Sequence, residues 1–249
     1  MELKDKVALV TGGGTGLGKE ISLQLARKGC RVAVNYSRSE QEAAETVGEI
    51  EALGRRAIAV RADVSQSDQV EGMVRRVVDQ LGGPQILINN AGTTAFVAFQ
   101  DLEGLTEADW DRIMAVNTKG SWLCSRAAAP HMKRAGEGRI VFTTSISGIR
   151  AGGSSIAYAV SKAGLQMLSR CLALALAPEI TVNTIAPGIM DTRWGVKWGQ
   201  EALDRMAREA PLKRYPSLKD IASGAVFLCE NDSMTGQTLV IDAGRLMPI

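Results

Sequence analysis

The chain has 249 residues, of which 45% are hydrophobic and 22% are charged, and its formal net charge is +2. A chain of this length can form one α/β domain or two smaller ones, and its balanced charge, without a basic tail or an acidic block, does not favour nucleic acid or an anionic membrane as a partner. Because it has no run of about 18 apolar residues and no apolar stretch of signal-peptide length at its start, we expect a cytoplasmic protein without membrane association.

Strand-like and helix-like segments alternate along the chain. Short apolar runs predict seven strands, over Lys6–Val10, Arg31–Asn35, Ala57–Arg61, Gln85–Asn89, Arg139–Thr144, Thr181–Ile185 and Thr238–Asp242. Apolar residues at helical spacing predict helices over Lys19–Lys28, Glu40–Leu53, Ser67–Leu81, from Thr106 to about Ser125 or beyond, and from the region of Tyr158 onwards. This alternation is typical of βαβ units, so we expect one doubly wound α/β domain whose mostly parallel sheet is covered by helices on both faces.

The turn after the first strand is rich in glycine. Five glycines lie within seven residues, at Gly12, Gly13, Gly14, Gly16 and Gly18. The G-x-G-x-x-G fingerprint is not present in its literal form, because Leu17 and Lys19 occupy the positions where its last glycine would fall. A tight turn could account for one or two of the glycines, but five of them predict a loop that lets a pyrophosphate approach the start of a helix. The nucleotide contacts are expected from Gly12, Gly14, Thr15, Gly16 and Leu17.

The end of the second strand bears on the choice of cofactor. A site for NAD usually has an acidic residue about 20 positions after the glycines, whereas here the strand runs into Tyr36, Ser37 and Arg38. A guanidinium flanked by hydroxyl groups suits a 2′-phosphate, although Arg38 could also be an ordinary solvated charge. We therefore predict that NADP(H) is favoured over NAD(H).

Tyr158 and Lys162 are four residues apart in a predicted helix, which places them on one face, one turn apart. A nearby ammonium favours the phenolate, so we expect Lys162 to lower the pKa of Tyr158 and make it a proton donor or acceptor. The pair alone is weak evidence, because any helix can carry it by chance.

The chain offers little for disulfide or metal chemistry. Its four cysteines are far apart, without a C-x-x-C pair, at Cys30, Cys124, Cys171 and Cys229. The single histidine, His131, lies near the end of a predicted helix and is interpreted as a surface residue. We therefore expect neither a disulfide framework nor a metal site.

Three motifs in this order make the chain similar to the short-chain dehydrogenase/reductase family. They are the glycine turn, Asn89-Asn90-Ala91-Gly92 after the fourth strand, and Tyr158 with Lys162. The resemblance covers essentially the whole chain and looks closest to the 3-oxoacyl-(acyl-carrier-protein) reductase branch. It implies a single Rossmann-like domain over residues 1–249, with a seven-stranded parallel sheet and a substrate loop at about 188–216.

The resemblance also implies the catalytic residues. Ser145, thirteen residues before Tyr158, matches the family's active-site serine and would hold the substrate oxygen, although Ser147 is a rival two residues away. Tyr158 would exchange a proton with that oxygen, and Lys162 would tune Tyr158 and bind the nicotinamide ribose. Asn117 would hold a water that links Lys162 to solvent.

Further cofactor contacts are implied in the same way. In the family the segment after the fourth strand shapes the cleft, the Asp-Val after the third strand contacts the adenine, and residues after the sixth strand meet the nicotinamide. The matching residues here are Asn90, Ala91, Gly92, Asp63, Val64, Pro187, Gly188 and Thr192.

The substrate stays open between alternatives. If the substrate loop is helical, Trp194 and Trp198 fall on one face and could wall an apolar pocket, which favours a 3-oxoacyl thioester or a bulky ketone. The segment Ala173–Ile180, however, lacks the basic residue expected for docking a carrier protein. An alcohol, polyol or sugar dehydrogenase of the same family is nearly as well supported, and a nucleotide-sensing protein without turnover is a remote alternative. Homotetramers are common in the family, and we expect one here.

Overall fold

The computed structural model describes residues 1–190, 195 and 199–247. Within this part of the chain, seven parallel strands form one sheet in the order β3-β2-β1-β4-β5-β6-β7. The strands are β1 (Val7–Val10), β2 (Arg31–Tyr36), β3 (Ala57–Arg61), β4 (Ile86–Asn89), β5 (Gly138–Thr143), β6 (Ile180–Pro187) and β7 (Thr238–Ile241). The helices are α1 (Gly16–Arg27), α2 (Glu40–Ala52), α3 (Ser67–Leu81), α4 (Glu107–Met114), α5 (Gly120–Arg134), α6 (Ile156–Leu176), α7 (Gln200–Glu209) and α8 (Leu218–Glu230).

Helices cover the sheet on both faces, and central strands such as β1 bury apolar side chains on both sides. In β1, Ala8 and Val10 pack into a core with α1, α2 and α8, while Val7 and Leu9 pack into a second core with α3, α5 and α6. Near-continuous apolar strands of this kind are typical of parallel sheets buried on both faces. The predicted α/β, Rossmann-like doubly wound fold with a seven-stranded parallel sheet is confirmed.

The strand order reverses direction between β1 and β4, and this position defines the site. The chain moves outward to β2 and β3 on one side of β1, then returns to β4 on the other side. The loops that follow β1 and β4 therefore separate and leave a crevice at the carboxyl ends of the strands, where ligands bind in open α/β sheets.

The long helix predicted from Thr106 onwards is interrupted. Thr106 caps its start, with its side-chain oxygen accepting from the Asp109 N–H, but a π-helical turn over Ala115–Lys119 separates α4 from α5. The extra residue in a π turn changes the direction in which the following side chains point, and such turns are frequent at functional sites. Asn117 lies within this turn.

The irregular segment at about 188–216 contains a helix that sequence analysis does not predict. α7 places Leu203 in the core and Met206 at the wall of a cavity, three residues apart, which is the helical spacing of one face. Thr192, Trp194 and Trp198, to which sequence analysis assigns a cofactor contact and a pocket wall, lie outside the described residues. None of the helices in 1–190 and 199–247 is long and apolar enough to cross a bilayer.

Candidate active site

A cavity of about 560 Å³ opens at the carboxyl ends of the strands, over the crevice between β1 and β4. It brings together residues from the glycine turn, the loop after β4, the end of β5, the start of α6 and the end of β6. The predicted site residues that line it are Gly12, Thr15, Gly16, Leu17, Asn90, Ala91, Gly92, Ser145, Tyr158, Lys162 and Gly188. Those described residues that do not line it are Gly14, Tyr36, Ser37, Arg38, Asp63, Val64, Asn117 and Pro187.

The glycine turn is shaped by close backbone contacts with the loop after β4. Gly12 and Gly16 have φ angles of +60° and +51°, in the region that favours glycine. The Asn90 side-chain amide donates to the carbonyl oxygens of Thr11 (3.1 Å) and Gly12 (3.2 Å), and a Cβ at Gly18 would lie 2.6 Å from that amide nitrogen. Asn90 therefore holds the turn in shape as well as lining the cavity.

Asn35 ties the same turn to β2, a role that sequence analysis does not assign. Its side-chain oxygen accepts from the Gly12 N–H (3.3 Å), its carbonyl oxygen accepts from the Gly13 N–H (2.9 Å), and its amide donates to Val60 and Ala62 of the neighbouring strand segment. The sequence signal for this role was an asparagine in an otherwise apolar predicted strand. In the structure Asn35 is fully buried, and a buried polar side chain needs hydrogen-bond partners.

The start of α1 fits the pyrophosphate of a dinucleotide. No side chain caps its first N–H groups, and Thr15, at the N-cap position, lies in the cavity wall with Gly16 and Leu17. Free N–H groups and the positive end of the helix dipole at the wall of a cavity form an anion site. The turn, Asn90 and the helix start would thus hold the phosphates of a nicotinamide dinucleotide.

Gly14, for which sequence analysis predicts a cofactor contact, packs against α2. A Cβ at this position would lie 2.8 Å from the Cα of Ala43 in α2, and the residue does not line the cavity. Gly14 is therefore required for the close approach of the turn to α2, because any side chain would push the helix away.

The residues expected around the adenosine end lie beside the cavity. Ser37 and Arg38 are exposed after β2, and Ser39, the next residue, reaches the cavity wall. The Asp63 carboxylate accepts from the N–H and the hydroxyl of Ser65 (2.9 and 2.7 Å), which fixes the turn after β3. Val64 packs against the start of α5, where Gly120 leaves no room for a Cβ.

Ser145, Tyr158 and Lys162 converge on one part of the cavity wall because of two local structures. Ser145 lies two residues after β5 in extended conformation, and its hydroxyl oxygen accepts from the Ser147 N–H (3.1 Å), starting a 3-10 turn over Ile146–Gly148. Ser155 caps α6 by accepting from the Tyr158 N–H (3.3 Å), so Tyr158 and Lys162 lie on its first two turns. The Ser145 hydroxyl forms a hydrogen bond with the Tyr158 side chain.

The 3-10 turn approaches α6 closely only because residue 148 is glycine. A Cβ on Gly148 would lie 2.6 Å from the carbonyl carbon of Lys162 and 2.7 Å from the Ala163 nitrogen. Gly148 therefore sets the separation between the serine-bearing turn and the helix that carries Tyr158 and Lys162. Ser147 also lines the cavity, so the position of the cavity alone does not separate it from Ser145.

The pKa values of Tyr158 and Lys162 differ from those expected from the sequence. Burial raises the pKa of Tyr158 to about 12, against which its hydrogen bond with Ser145 acts, and burial lowers the pKa of Lys162 to about 8. The Lys162 ammonium donates to the Thr143 carbonyl oxygen (2.8 Å) and lies 5.6 Å from the centre of the Tyr158 ring. Loss of hydration outweighs the hydrogen bond with Ser145. The pKa of Tyr158 is therefore raised, and the prediction of a lowered value is wrong for this structure.

Asn117 is fully buried, and both polar atoms of its side chain form hydrogen bonds within the protein. The side-chain oxygen accepts from the Thr93 N–H (2.7 Å), and the amide donates to the Thr93 carbonyl (3.0 Å) and the Ser161 hydroxyl (2.9 Å). Ser161 in turn donates to the Tyr158 carbonyl oxygen (2.7 Å). Asn117 therefore links the loop after β4 to α6 through its side chain, and the water expected at Asn117 stays a prediction.

Lys162 gives the stability of the protein a specific pH dependence. Burial lowers the pKa of Lys162 to about 8 in the folded protein, from 10.5 for a solvated lysine as in the unfolded chain. Between these values the unfolded chain binds the extra proton, so the contribution of Lys162 to stability rises with pH in this window and is constant below it. We expect the free energy of unfolding of the wild type, minus that of Lys162→Met, to rise by about 2 kcal/mol between pH 7.5 and 9.5 in chemical denaturation. A difference that stays flat over this range would contradict the buried, destabilised ammonium.

Sequence analysis also missed the residues that complete the cavity at its other end. Phe96, Ile146, Met190 and Met206 supply apolar surface there, together with two arginines, Arg150 and Arg245. They follow four different strands, β4 to β7, and have no common motif, so only the folded chain brings them together. His131 lies outside the cavity wall, where its ring nitrogen Nδ1 is 2.8 Å from the Arg134 guanidinium. No group of three His, Cys, Asp or Glu side chains suited to a metal occurs among residues 1–190, 195 and 199–247.

A nucleotide-binding crevice and a Ser-Tyr-Lys set in one cavity define a dehydrogenase of the doubly wound class. The family model for short chain dehydrogenase matches residues 6–202, and the chain belongs to the short-chain dehydrogenase/reductase family. It is thus an enzyme, an oxidoreductase that acts on CH–OH and C=O groups with a nicotinamide cofactor.

Individual relatives are similar over almost their whole length. The chain is 37% identical over 246 residues to a 3-oxoacyl-(acyl-carrier-protein) reductase of Staphylococcus epidermidis, covering 98% of this chain and 100% of the relative. It is 36% identical over 248 residues to a (2S)-[(R)-hydroxy(phenyl)methyl]succinyl-CoA dehydrogenase subunit of Thauera aromatica, covering 98% of each. A short chain dehydrogenase of Burkholderia cenocepacia, solved in complex with NADP, superposes with a TM-score of 0.90 at 38% identity, covering 98% of this chain and 99% of the other.

Proposed function

We propose that this protein is an NADP(H)-dependent oxidoreductase that interconverts a ketone and a secondary alcohol, with a 3-oxoacyl thioester or another bulky ketone as its substrate. The observation that carries the proposal is the convergence of Ser145, Tyr158 and Lys162 on the wall of the cavity that also contains the glycine turn. A proton donor, a donor to the substrate oxygen and a dinucleotide cradle are the parts that such a reaction requires.

In the reductive direction, Tyr158 gives its proton to the oxygen of the substrate. Its raised pKa suits this role, because a phenol that stays protonated at neutral pH still gives its proton to the more basic alkoxide. Ser145 donates a hydrogen bond to the same oxygen and stabilises charge as it develops there. Lys162, fixed on the Thr143 carbonyl, places positive charge beside Tyr158 when it is protonated. The nicotinamide, when bound, supplies the hydride.

NADP(H) is the favoured cofactor because the end of β2 is basic. Arg38 is exposed and forms no hydrogen bond or ion pair with the described residues. Burial and a hydrogen bond with Glu40 raise the pKa of Tyr36, whereas the positive charges of Arg61 and Arg76 act to lower it, so both guanidinium groups lie near Tyr36. A free guanidinium beside further positive charge suits a 2′-phosphate.

Replacing Arg38 tests this preference. We expect Arg38→Gln to raise the KM for NADPH about 10-fold or more, since a charge-assisted hydrogen bond to phosphate is lost, while the KM for NADH changes by less than about 3-fold. Steady-state oxidation of both nucleotides measures it, with Arg75→Gln on the exposed face of α3 as a control. Equal effects on the two nucleotides would remove Arg38 from cofactor selection.

The substrate proposal is supported by the apolar end of the cavity. Phe96, Ile146, Met190 and Met206 favour a bulky or extended carbonyl compound over a small polar one. The alcohol or polyol alternative is favoured by three hydroxyl groups at the same wall, those of Thr94, Ser147 and Ser154, of which Thr94 and Ser154 are 2.5 Å apart.

We also propose that residues 1–249 act as one cytoplasmic domain, with a substrate loop at about 188–216.

We further propose that four copies of the chain assemble. The support for the tetramer is the family resemblance and the apolar side chains exposed on the helices that carry or adjoin Asn117 and Tyr158. These are Trp110, Trp122, Val160, Met167 and Leu174. Sedimentation velocity measures the assembly, with four copies expected.

The function is tested by a substrate panel. Oxidation of NADPH and of NADH is measured against acyl thioesters, cyclic ketones and sugar carbonyls. We expect NADPH oxidation with thioesters or bulky ketones and little with sugars. Oxidation with sugars alone would favour the polyol alternative, and no oxidation with any carbonyl would overturn the proposal.

A further inference from the structure

The cavity has two chemically different halves. Strand order places the loops after β1 and β2 and the beginning of the loop after β4 in one half, where the glycine turn, Ser39 and Asn90 lie. Loops that follow β5, β6 and β7 form the other half, next to Ser145 and Tyr158. The first half is accounted for by the dinucleotide, so the second half is left for the substrate.

All charged side chains that the structure describes in the substrate half are positive. Among the described residues that line the cavity, the ionisable cations are Lys162, Arg150 and Arg245, and no aspartate or glutamate is present. Lys162 is buried beneath Tyr158 and bonded to the Thr143 carbonyl. Arg150 and Arg245 thus bring two guanidinium groups to a wall whose other side chains are apolar or carry hydroxyl groups, and the chemistry proposed above does not need them.

Arg245 is held there by a rigid turn. The Asp242 carboxylate accepts from the N–H groups of Gly244 (2.8 Å) and Leu246 (2.7 Å), which closes the chain around Arg245 just after β7. The Arg245 side chain is 19% exposed, and its guanidinium donates one hydrogen bond to the Met206 carbonyl oxygen in α7 (3.1 Å). The nearest carboxylate oxygen, on the exposed Glu209, is 3.7 Å away. Most donors of this guanidinium therefore stay available.

Arg150 provides the second cation, from the segment after β5. It follows the 3-10 turn that starts at Ser145, and its backbone N–H donates to the Ile146 carbonyl oxygen (3.0 Å). Its side chain forms no hydrogen bond or ion pair with any residue in the described part of the chain, and it is exposed at the cavity wall. A guanidinium beside apolar surface gains most from an oxyanion that fills its donors.

We propose that Arg150 and Arg245 recognise an oxyanion on the substrate, a carboxylate or a phosphate, at a distance from the carbonyl that is reduced. This inference rests on the proposed function and narrows it to negatively charged oxo compounds. The two arginines are specificity residues: they hold the far end of the substrate while Ser145 and Tyr158 engage the carbonyl oxygen.

The first test compares carboxylates with their neutral esters. Calorimetric titration of the protein saturated with NADP⁺ measures the affinity for a series from 5-oxohexanoate to 8-oxononanoate and for the matching methyl esters. We expect at least one acid in the series to bind about 10-fold or more tightly than its ester, as a charge-assisted hydrogen bond implies. The second pair, acetoacetyl-4′-phosphopantetheine against acetoacetyl-pantetheine, differs only in the phosphate and tests that group in the same way.

Variants of each arginine show which side chain causes the preference for the anionic ligand. Arg150→Met and Arg245→Met keep the apolar stem and remove the charge, and each should reduce the preference for the anionic ligand about 10-fold. Arg75→Met, on the exposed face of α3, should leave the preference unchanged. If Arg245→Met unfolds, because it also loses the contact with α7, Arg150→Met still decides.

The outcomes separate this inference from the proposed function. Discrimination in one pair identifies the oxyanion as carboxylate or phosphate, and equal affinities within both pairs overturn the inference. Reduction of the neutral esters, measured in parallel, reports on the proposed function alone. Preference for the anion that persists in both arginine variants would also overturn the inference.

Discussion

Replacement of Tyr158 by phenylalanine is expected to reduce kcat by about 10²- to 10⁴-fold, the usual contribution of a positioned general acid. The ring and its packing are kept, so only the hydroxyl that hydrogen-bonds with Ser145 is removed. The dissociation constant for NADPH, measured by fluorescence titration, should change by less than about 3-fold. Together, the two results would assign Tyr158 to the proton transfer step rather than to cofactor binding.

The chain offers a matched control for this change. It has three tyrosines, and Tyr215 lies outside the cavity wall. Tyr215→Phe should retain kcat within about 2-fold, since it removes the same hydroxyl from a position without contact to the reacting groups. Turnover near the wild-type rate in Tyr158→Phe would refute the role given to Tyr158.

The second large effect is expected for Ser145→Ala. Removing a donor aimed at a developing oxyanion costs about 10²- to 10³-fold in kcat. Ser145 also accepts from the Ser147 N–H at the start of the 3-10 turn, so thermal unfolding should accompany the kinetics. A drop in kcat with a small change in Tm is the expected combination.

Ser147→Ala is the matched comparison for Ser145→Ala, because Ser147 lies two residues away in the same cavity wall. Its hydroxyl is next to Gly153, where a Cβ would lie 2.5 Å from it, whereas the Ser145 hydroxyl bonds with Tyr158. Ser147→Ala should therefore reduce kcat by less than about 10-fold. The reverse order of effects would exchange the roles of the two serines.

The architecture could be predicted from the sequence because its signals are local. Apolar strands such as Val7–Val10, and helices with one apolar face such as Ser67–Leu81, follow from periodicity, and their alternation leaves few topologies. The π turn around Asn117 and helix α7 were not predicted. Both depend on what the segment packs against: the Asn117 amide bonds to Thr93 and Ser161, and Leu203 of α7 is buried in the core.

The site could be predicted only where a motif carries it. The resemblance to the family predicted that Ser145, Tyr158 and Lys162 act together, and all three line one cavity. Burial, which decides the pKa of Tyr158 and of Lys162, is a property of the folded chain. The packing of Gly14 against α2 likewise depends on the folded chain and was not predicted. Arg150 and Arg245 are 95 positions apart in the sequence and meet only at the cavity.

Direct transfer of the cofactor hydrogen is the central claim, and isotope labelling tests it. NADPH carrying deuterium at C4 of the nicotinamide, prepared as each of the two diastereomers, is incubated with the protein and a ketone that the panel identifies. The alcohol is then examined by mass spectrometry and NMR. The account predicts one deuterium at the carbinol carbon from one diastereomer and none from the other. An alcohol without deuterium at that carbon from either diastereomer would contradict it.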